Sequence, residues 1–302
     1  MYGTAMMGLL GGSGNGSLFK VTPYTGNGST QSIVTGQNTV VSSLIWAHPT
    51  STAGYNHSII DSVRGVQNTL NANDTSAETV TSGSVTAFNN NGFTVGNSAE
   101  WNLNAASIIA FSWLEQAGYF DVAGWTGNDT NRTITVNGTT KLALVKRRSG
   151  TSTGWRVYHS SLGNTKYLEL NSGEPSASSS SMWNSTSPTS TTFALGTSSD
   201  VNASGDTYIG YFFQESAGNS KFGTYSGTTT INTGLASISA FLVKRTDDVG
   251  DWYFFYNNGG TWYHVKPNST AARATGLISV SSGDVTLSGA ASSGNGIYAA
   301  WR

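Results

Sequence analysis

The chain repeats itself at intervals of about 100 residues, and this repeat restricts the possible folds more than any other feature of the sequence. The segment Tyr24-Thr25-Gly26-Asn27 returns as Trp125-Thr126-Gly127-Asn128 and, without its asparagine, as Tyr225-Ser226-Gly227. Phe93-Thr94-Val95-Gly96 likewise returns as Phe193-Ala194-Leu195-Gly196. Markers that recur in one order predict that the 302 residues fold as three copies of one unit rather than as one large domain.

An apolar segment inside each copy supplies a further marker. We align Leu44-Ile45-Trp46-Ala47-His48 with Ala143-Leu144-Val145-Lys146-Arg147 and with Phe241-Leu242-Val243-Lys244-Arg245, so that Ala47-His48 replaces the Lys-Arg ending in the first copy. The markers place three predicted modules at residues 21–120, 121–220 and 221–302. Residues 1–20 form a predicted N-terminal arm, which either docks onto a neighbouring subunit or frays.

The apolar segments of all three copies predict β-strands. They are short, rich in β-branched and aromatic residues, and separated by clusters of Gly, Asn and Ser, and no window keeps a helical period. Predicted strands lie at residues 31–34, 43–47, 58–62, 69–71, 85–88, 93–95 and 107–114 of the first copy, 141–146, 155–159, 167–170, 193–195 and 208–214 of the second, and 240–244, 252–256, 261–265, 285–287 and 297–301 of the third. We therefore predict an all-β protein of three tandem β-sandwich-like modules with a short N-terminal arm.

Charge is scarce in this chain, and its scarcity limits the possible partners. Charged residues make up 10% of the sequence, against about 25% in a typical soluble domain. Because 15 Lys and Arg are balanced by 16 Asp and Glu, we expect no nucleic-acid-binding face. We also expect no membrane insertion, since no apolar run approaches the roughly 20 residues that cross a bilayer. We expect no signal peptide, since no Lys or Arg precedes the short apolar patch at residues 5–10. Sheets without charged edges favour association, so we predict a homo-oligomer rather than a monomer.

Longer segments also mark the second and third copies. The second copy carries Ser160-Ser161-Leu162-Gly163-Asn164-Thr165-Lys166-Tyr167-Leu168 and Asn202-Ala203-Ser204-Gly205-Asp206-Thr207-Tyr208. The third carries Lys266-Pro267-Asn268-Ser269-Thr270-Ala271-Ala272. Together with the repeated Thr-Gly-Asn motif, these segments resemble a repeated module of tail-fibre-like structural proteins from marine and cyanobacterial phages. The resemblance covers residues 24–302 and implies a virion protein in a fibre, adhesin or other external appendage. It supplies no catalytic or binding residues.

Few residues suggest catalysis, and we expect no enzyme. Glycosidases place two carboxyl groups about 5 to 9.5 Å apart, but Glu115 and Glu215 are equivalent residues of different copies and are expected to lie a whole module apart. Gly150-Thr151-Ser152-Thr153-Gly154 matches the letters of a nucleophile elbow. It lies between two predicted strands, however, where a polar hairpin turn is favoured.

Metal sites and cofactors are not expected either. Asp247, Asp248 and Asp251 form an acidic cluster of a kind that can bind calcium, although a solvated loop is favoured. The histidines lack the spacing of zinc motifs and are expected at the surface or hydrogen-bonded in the core. They are His48, His57, His159 and His264.

Matched aromatic residues are the strongest candidates for recognition. Those on the last strand of each copy, expected to be core, are Trp113, Phe213 and Trp301. Tyr24, Trp125 and Tyr225 instead lie beside Thr-Gly-Asn or Ser-Gly in predicted turns. Such a ring could stack on a sugar while nearby amides and hydroxyls bind its hydroxyl groups, or it could plug a junction between modules. The junction interpretation is favoured because each ring lies where one copy follows another.

These observations lead to one expected function and two alternatives. We expect a non-enzymatic structural protein on the exterior of a phage particle, a tail fibre or receptor-binding appendage that touches host surface glycan. Its expected partners are other virion proteins and further copies of itself. The first alternative is a capsid decoration or cementing protein, and the second, of another class, is a glycan-cleaving enzyme.

Overall fold

The computed structural model describes residues 16–227 and 230–302, and nearly all of its regular structure is antiparallel β-sheet. Three successive stretches of chain each build a six-stranded sheet backed by a smaller sheet. We call these stretches module 1 (residues 19–114), module 2 (residues 120–214) and module 3 (residues 220–301). The predicted all-β fold of sandwich-like modules is confirmed.

Module 1 begins earlier than its repeat markers indicate. Residues 1–15 of the predicted N-terminal arm lie outside the described residues, whereas Phe19 and Lys20 already belong to the first strand. The elements of module 1 are β1 (Phe19–Thr25), β2 (Gln31–Val34), β3 (Ser43–Pro49), β4 (Ser58–Asp61), β5 (Asn68–Asn71), β6 (Thr79–Val80), β7 (Val85–Asn89), β8 (Gly92–Val95), α1 (Ala99–Asn102) and β9 (Ser107–Leu114). Its large sheet has the order β1-β9-β3-β4-β5-β6, and its small sheet the order β2-β8-β7.

Modules 2 and 3 repeat this plan. Module 2 consists of β10 (Phe120–Thr126), β11 (Arg132–Thr135), β12 (Thr140–Arg147), β13 (Arg156–His159), β14 (Lys166–Glu169), β15 (Ala177–Ser178), β16 (Thr192–Leu195), α2 (Ser199–Asn202) and β17 (Thr207–Gln214). Module 3 consists of β18 (Ser220–Ser226), β19 (Thr230–Asn232), β20 (Ala240–Arg245), β21 (Trp252–Asn258), β22 (Thr261–Val265), β23 (Ala274–Thr275), β24 (Ile278–Ser281), β25 (Asp284–Leu287), a short 3-10 helix (Gly289–Ser292) and β26 (Asn295–Trp301). The large sheets run β10-β17-β12-β13-β14-β15 and β18-β26-β20-β21-β22-β23.

Both faces of each large sheet are buried, because each sheet contributes to two cores. In β9, Ile108 and Ala110 pack in the core of module 1, between its large and small sheets. Phe111 and Trp113, which point to the other face, pack in a central core that all three modules share. Because successive side chains of a strand point to opposite faces of the sheet, half of them pack in the core of their own module and half in the common core.

The common core is organised around a pseudo-threefold axis. The matched aromatic residues of the last strands meet there in a triangle: the ring centroids of Trp113 and Phe213 are 5.6 Å apart, those of Trp113 and Trp301 5.5 Å, and those of Phe213 and Trp301 5.6 Å. All three side chains are buried, which confirms the predicted core role. The sequence did not indicate that the three would touch one another.

Three equivalent backbone hydrogen bonds close the modules into a ring. Each runs from a residue near the short sixth strand of one module to the residue that follows the third strand of the next module. The donor and acceptor pairs are Glu78 N to Arg148 O (3.0 Å), Ser176 N to Thr246 O (3.0 Å) and Arg273 N to Thr50 O (2.9 Å). We call the three places where these bonds form the 1/2, 2/3 and 3/1 junctions, and the last of them joins the end of the repeat to its beginning.

The strand registers correct the alignment of the apolar segments by one residue. Ile109 and Ile209 occupy equivalent positions of the last strands, and their partners on the neighbouring strand are His48 and Lys146. In module 3 the partner of Ile297 is Lys244. His48 is therefore equivalent to Lys146 and Lys244, not to Arg147 and Arg245 as the sequence alignment had it. A shift of one residue exchanges the two faces of a strand, so the correction changes which side chains face the junctions.

Candidate functional site

The aromatic rings of the repeated motif lie on strands rather than in turns. Tyr24, Trp125 and Tyr225 are the next-to-last residues of β1, β10 and β18, and each contributes to its own module's core or packs against it. The Tyr24 hydroxyl donates to Trp101 O at 2.7 Å, and Trp125 Nε1 donates to Val201 O at 3.0 Å. Each strand continues one residue past its ring, so the turn begins later than we predicted.

Most of each ring is covered inside its module. The Trp125 ring stacks on Tyr208 at 5.7 Å, and a Cβ added to Gly296 would lie 2.2 Å from the Tyr225 ring. Part of Tyr24 and part of Tyr225 nevertheless line grooves that lie beside the junctions. These grooves, rather than the ring faces, are the surfaces at which the motif can meet a ligand.

The Thr-Gly-Asn motif itself fastens the start of a module to its end. Gly26 and Gly127 lie so close to the opposite chain that an added Cβ would be 2.0 Å from a carbonyl oxygen. After each glycine, the backbone N–H of Asn27 or Asn128 donates to the side chain of a buried asparagine. Those asparagines, Asn102 and Asn202, end the short helices α1 and α2. The motif therefore has a structural role in modules 1 and 2.

A buried nitrogenous side chain spans each junction at the position that the register correction identifies. Lys146 Nζ donates to Thr75 O of module 1 at 2.9 Å, and Lys244 Nζ donates to Gly173 O of module 2 at 3.0 Å. Burial lowers the pKa of each lysine to about 8. His48 replaces the lysine at the 3/1 junction, where its Nε2 lies 3.1 Å from Ala271 O of module 3. Burial lowers the pKa of His48 as well.

At a second position, too, a histidine of the 3/1 junction replaces the residue that the other two junctions share. Trp155 Nε1 donates to Asn71 O at 2.7 Å across the 1/2 junction, and Trp252 Nε1 donates to Glu169 O at 2.8 Å across the 2/3 junction. The equivalent residue of module 1 is His57, whose ring stacks on His48 at 3.8 Å. Its Nε2 is buried without a hydrogen-bond partner in the described part of the chain. The lysine and tryptophan hydrogen bonds that cross the other two junctions are thus replaced at the 3/1 junction by the stacked pair of His48 and His57.

The 1/2 junction is filled by a buried cluster of charges. Arg64 forms an ion pair with Asp61 and donates from Nη1 to Glu78 Oε2 at 2.8 Å. Arg148 of module 2 holds Glu78 from the other side, and the Tyr211 hydroxyl donates to Asp61 Oδ2 at 2.7 Å. Although burial alone would raise the pKa of Glu78, hydrogen bonds from the two arginines hold it below its usual value. Both carboxylates of this cluster, Asp61 and Glu78, are thus paired with arginines.

The 2/3 junction leaves an open groove of about 640 Å³. Its walls are mostly neutral: Ser161 and Leu162 come from module 2, while Thr224, Tyr225 and Asn295 come from module 3. Nearby, His159 Nε2 lies 3.1 Å from Tyr298 O, and His159 Nδ1 accepts a hydrogen bond from the Ser161 N–H at 3.2 Å. The groove therefore presents hydroxyls, amides and apolar surface beside an aromatic edge.

The 3/1 junction has an equivalent but smaller groove of about 250 Å³. Module 1 contributes Tyr24, Thr50 and Ser107, at the positions that Tyr225, Thr246 and Asn295 occupy in the other groove. Module 3 contributes Tyr256 and Arg273, together with Asn258. Of the residues in this groove, Tyr24 was a predicted candidate and the others were not, because the two walls of the groove are more than 140 residues apart in the sequence.

The carboxylates considered for catalysis or calcium binding mostly form ion pairs. Glu215 Oε1 lies 2.7 Å from Lys221 Nζ, whereas Glu115 lies two residues beyond Trp113. The expected separation of Glu115 and Glu215 by a whole module stays a prediction. Asp247 and Asp248 pair with Arg245, and Asp251 Oδ2 lies 2.7 Å from Lys266 Nζ.

The remaining motifs lie where the sequence suggests. Residues 150–154 connect the antiparallel strands β12 and β13, as predicted for a hairpin loop, and all four histidines are buried. Within residues 16–227 and 230–302, no three His, Asp or Glu side chains are grouped to hold a metal ion. The same residues contain no helix of the length and apolar character that crosses a membrane.

The geometry defines a class of protein: an all-β chain whose three repeated modules close into a ring, with ligand-sized grooves at two junctions. The chain belongs to the family described as a domain of unknown function, DUF7483, whose family model matches residues 14–301. The match runs through all three modules. No protein with a curated description matches the chain.

Proposed function

We propose that this protein is a non-enzymatic structural component on the exterior of a phage particle, where it serves as a tail fibre or receptor-binding appendage and binds host surface glycan. The observation that carries glycan binding is the pair of equivalent grooves at the 2/3 and 3/1 junctions. Each combines an aromatic edge with side-chain hydroxyls and amides, the mixture of apolar platform and few polar groups that suits a sugar. The resemblance of the sequence to phage tail-fibre modules supports the place in the virion.

The shape and composition of the molecule support a role in assembly. A ring with pseudo-threefold symmetry can lie on the threefold axis of a trimeric fibre and make similar contacts with all three fibre subunits. Scarce surface charge lets neighbouring subunits approach each other, and a homo-oligomer or a fibre would present many copies of a weak groove at once. Other virion proteins are the remaining expected partners.

The test is binding of the purified protein to host cells and to an array of immobilised glycans. Thr25→Trp places an indole in the 3/1 groove, and Thr224→Trp places one in the 2/3 groove. We expect each to reduce binding at its groove. The matched control is Thr126→Trp, which is equivalent to Thr25 but adjoins the charge-filled 1/2 junction. Failure of the unmodified protein to bind any glycan or host cell would contradict the proposed function.

The pseudo-threefold axis also favours a second candidate function, a capsid decoration or cementing protein, because viral shells offer threefold positions to such a body. This alternative predicts that the purified protein coats emptied capsids. Binding to capsids together with no binding to glycans or cells would favour decoration over receptor binding.

A further inference from the structure

The two open grooves differ in charge at one equivalent position. The residue whose N–H closes each junction is Glu78 at 1/2, Ser176 at 2/3 and Arg273 at 3/1. At the 1/2 junction the acidic side chain is neutralised by Arg64 and Arg148. At the 2/3 junction the serine is neutral and its Oγ donates to Thr246 O at 3.1 Å. Only the 3/1 groove has a cation at this position.

Arg273 has no carboxylate partner within 4 Å among the residues that the structure describes. Its guanidinium lies over the Tyr263 ring, 4.5 Å from the centroid, and Nη1 makes a long hydrogen bond of 3.4 Å to Thr50 Oγ1. A guanidinium has five N–H donors in a planar fork. Stacking on Tyr263 fixes the plane of this fork and leaves most of its donors for a ligand.

A buried hydroxyl also lies beside Arg273. Tyr256 is fully buried, lines the 3/1 groove, and lies next to Arg273 and Thr50. Its hydroxyl makes no hydrogen bond of normal geometry to any described residue. Because a buried polar group without a hydrogen bond of good geometry is unfavourable, a groove that keeps such a group gains most from a ligand that completes its hydrogen bonding.

We infer that the 3/1 groove binds a sugar that carries a carboxylate, such as a uronic or sialic acid, with Arg273 as the residue that selects it. The guanidinium fork matches the two oxygens of a carboxylate. The Tyr256 hydroxyl supplies a further donor, and Thr50, Ser107 and Asn258 meet the sugar hydroxyls. The volume of about 250 Å³ is below the range of roughly 300–1,000 Å³ for drug-sized sites, which fits a single terminal sugar. This inference rests on the proposed function, because it assigns a sugar class to one of the two grooves.

The test compares glucuronate with glucose, which differ only in the oxidation of carbon 6, by titration calorimetry or NMR. We expect glucuronate to bind the 3/1 groove about tenfold more tightly, in proportion to a charge-assisted hydrogen-bonded pair. Arg273→Gln should abolish this preference. Arg132→Gln should retain it, because Arg132 is a partly exposed arginine outside both grooves whose Nη1 donates to Thr126 O. Tyr256→Phe, which keeps the ring in the core, should weaken glucuronate binding by a smaller factor.

The outcomes separate this inference from the proposed function. Equal binding of glucose and glucuronate, unchanged by Arg273→Gln but lost in Thr25→Trp, would overturn the inference and leave glycan binding intact. Tighter binding of glucose 6-sulfate than of glucuronate would overturn the assignment to carboxylates. Absence of binding by every sugar, together with no binding to host cells, would overturn both proposals.

Discussion

The 1/2 and 3/1 junctions share one backbone contact and differ in nearly every side chain around it. At the 1/2 junction, Lys146 and Trp155 reach across to module 1, and a compensated cluster of charges fills the space beside them. At the 3/1 junction, the stacked pair of His48 and His57 takes their place beside an open groove and an unneutralised Arg273. The comparison shows that the backbone hydrogen bond defines the ring, while the side chains decide whether a junction is sealed or open to a ligand.

The largest expected effect comes from removing what all three junctions share, the aromatic triangle. Trp113→Ala should lower the free energy of unfolding by about 4 kcal/mol, because it opens a cavity where three modules meet. Denaturant unfolding of the variant measures this loss. Val34→Ala, at an exposed position of the same module, should change stability by less than about 0.5 kcal/mol. A loss confined to module 1, with modules 2 and 3 unfolding as before, would contradict a common core.

A somewhat smaller effect tests the sealed junction. Arg64→Met should cost about 3 kcal/mol, because it leaves the buried Asp61 carboxylate without its ion-pair partner. Urea unfolding measures the change, and Arg132→Met provides a partly exposed arginine outside the cluster as a control. Replacing Asp61 by Leu in the same molecule should recover much of the loss. Equal stabilities of Arg64→Met and Arg132→Met would show that the cluster does not hold the junction.

The smallest effect concerns the 2/3 junction and depends on pH. Burial lowers the pKa of His159 to about 4, against about 6.5 in an unfolded chain. Below pH 6.5 the unfolded chain therefore binds a proton that the folded protein does not. The free energy of unfolding consequently decreases as the pH falls from 6.5 towards 4.

His159→Gln removes that titration while keeping a donor for Tyr298 O. From pH 7 to pH 5 the unmodified protein should lose about 2 kcal/mol more stability than the variant. Chemical denaturation at the two pH values measures the difference, and the other buried histidines are present in both proteins. Identical losses would contradict a buried neutral His159.

The strands and the repeat could be predicted because their signals are local. Ser107–Leu114 and Gln31–Val34 have the predicted bounds, since short apolar runs between turn residues identify strands without knowledge of their neighbours. The strand Phe19–Thr25 was missed because the Thr-Gly-Asn residues beside Tyr24 indicated a turn. The strand also contains Pro23, which is tolerated because this is the edge strand of its sheet, a fact that only the sheet order reveals.

The ring and the second groove wall could not be predicted in this way. The bond from Arg273 N to Thr50 O joins residues 223 positions apart, and no periodicity in either segment points to the other. The sequence alignment matched His48 with Arg147 and therefore hid its equivalence to Lys146 and Lys244. An alignment error of one residue assigns every side chain of a strand to the wrong face. Arg64 and Asp61 lie three residues apart and could have been recognised as a local pair, but their burial could not.

Joining the three modules in one polypeptide has a consequence for how the molecule can change through evolution. In a homotrimer of identical subunits, a substitution such as serine to arginine at the closing position would appear at all three seams together. Here Glu78, Ser176 and Arg273 occupy that position separately. One seam can therefore acquire a new specificity while the other two preserve the architecture.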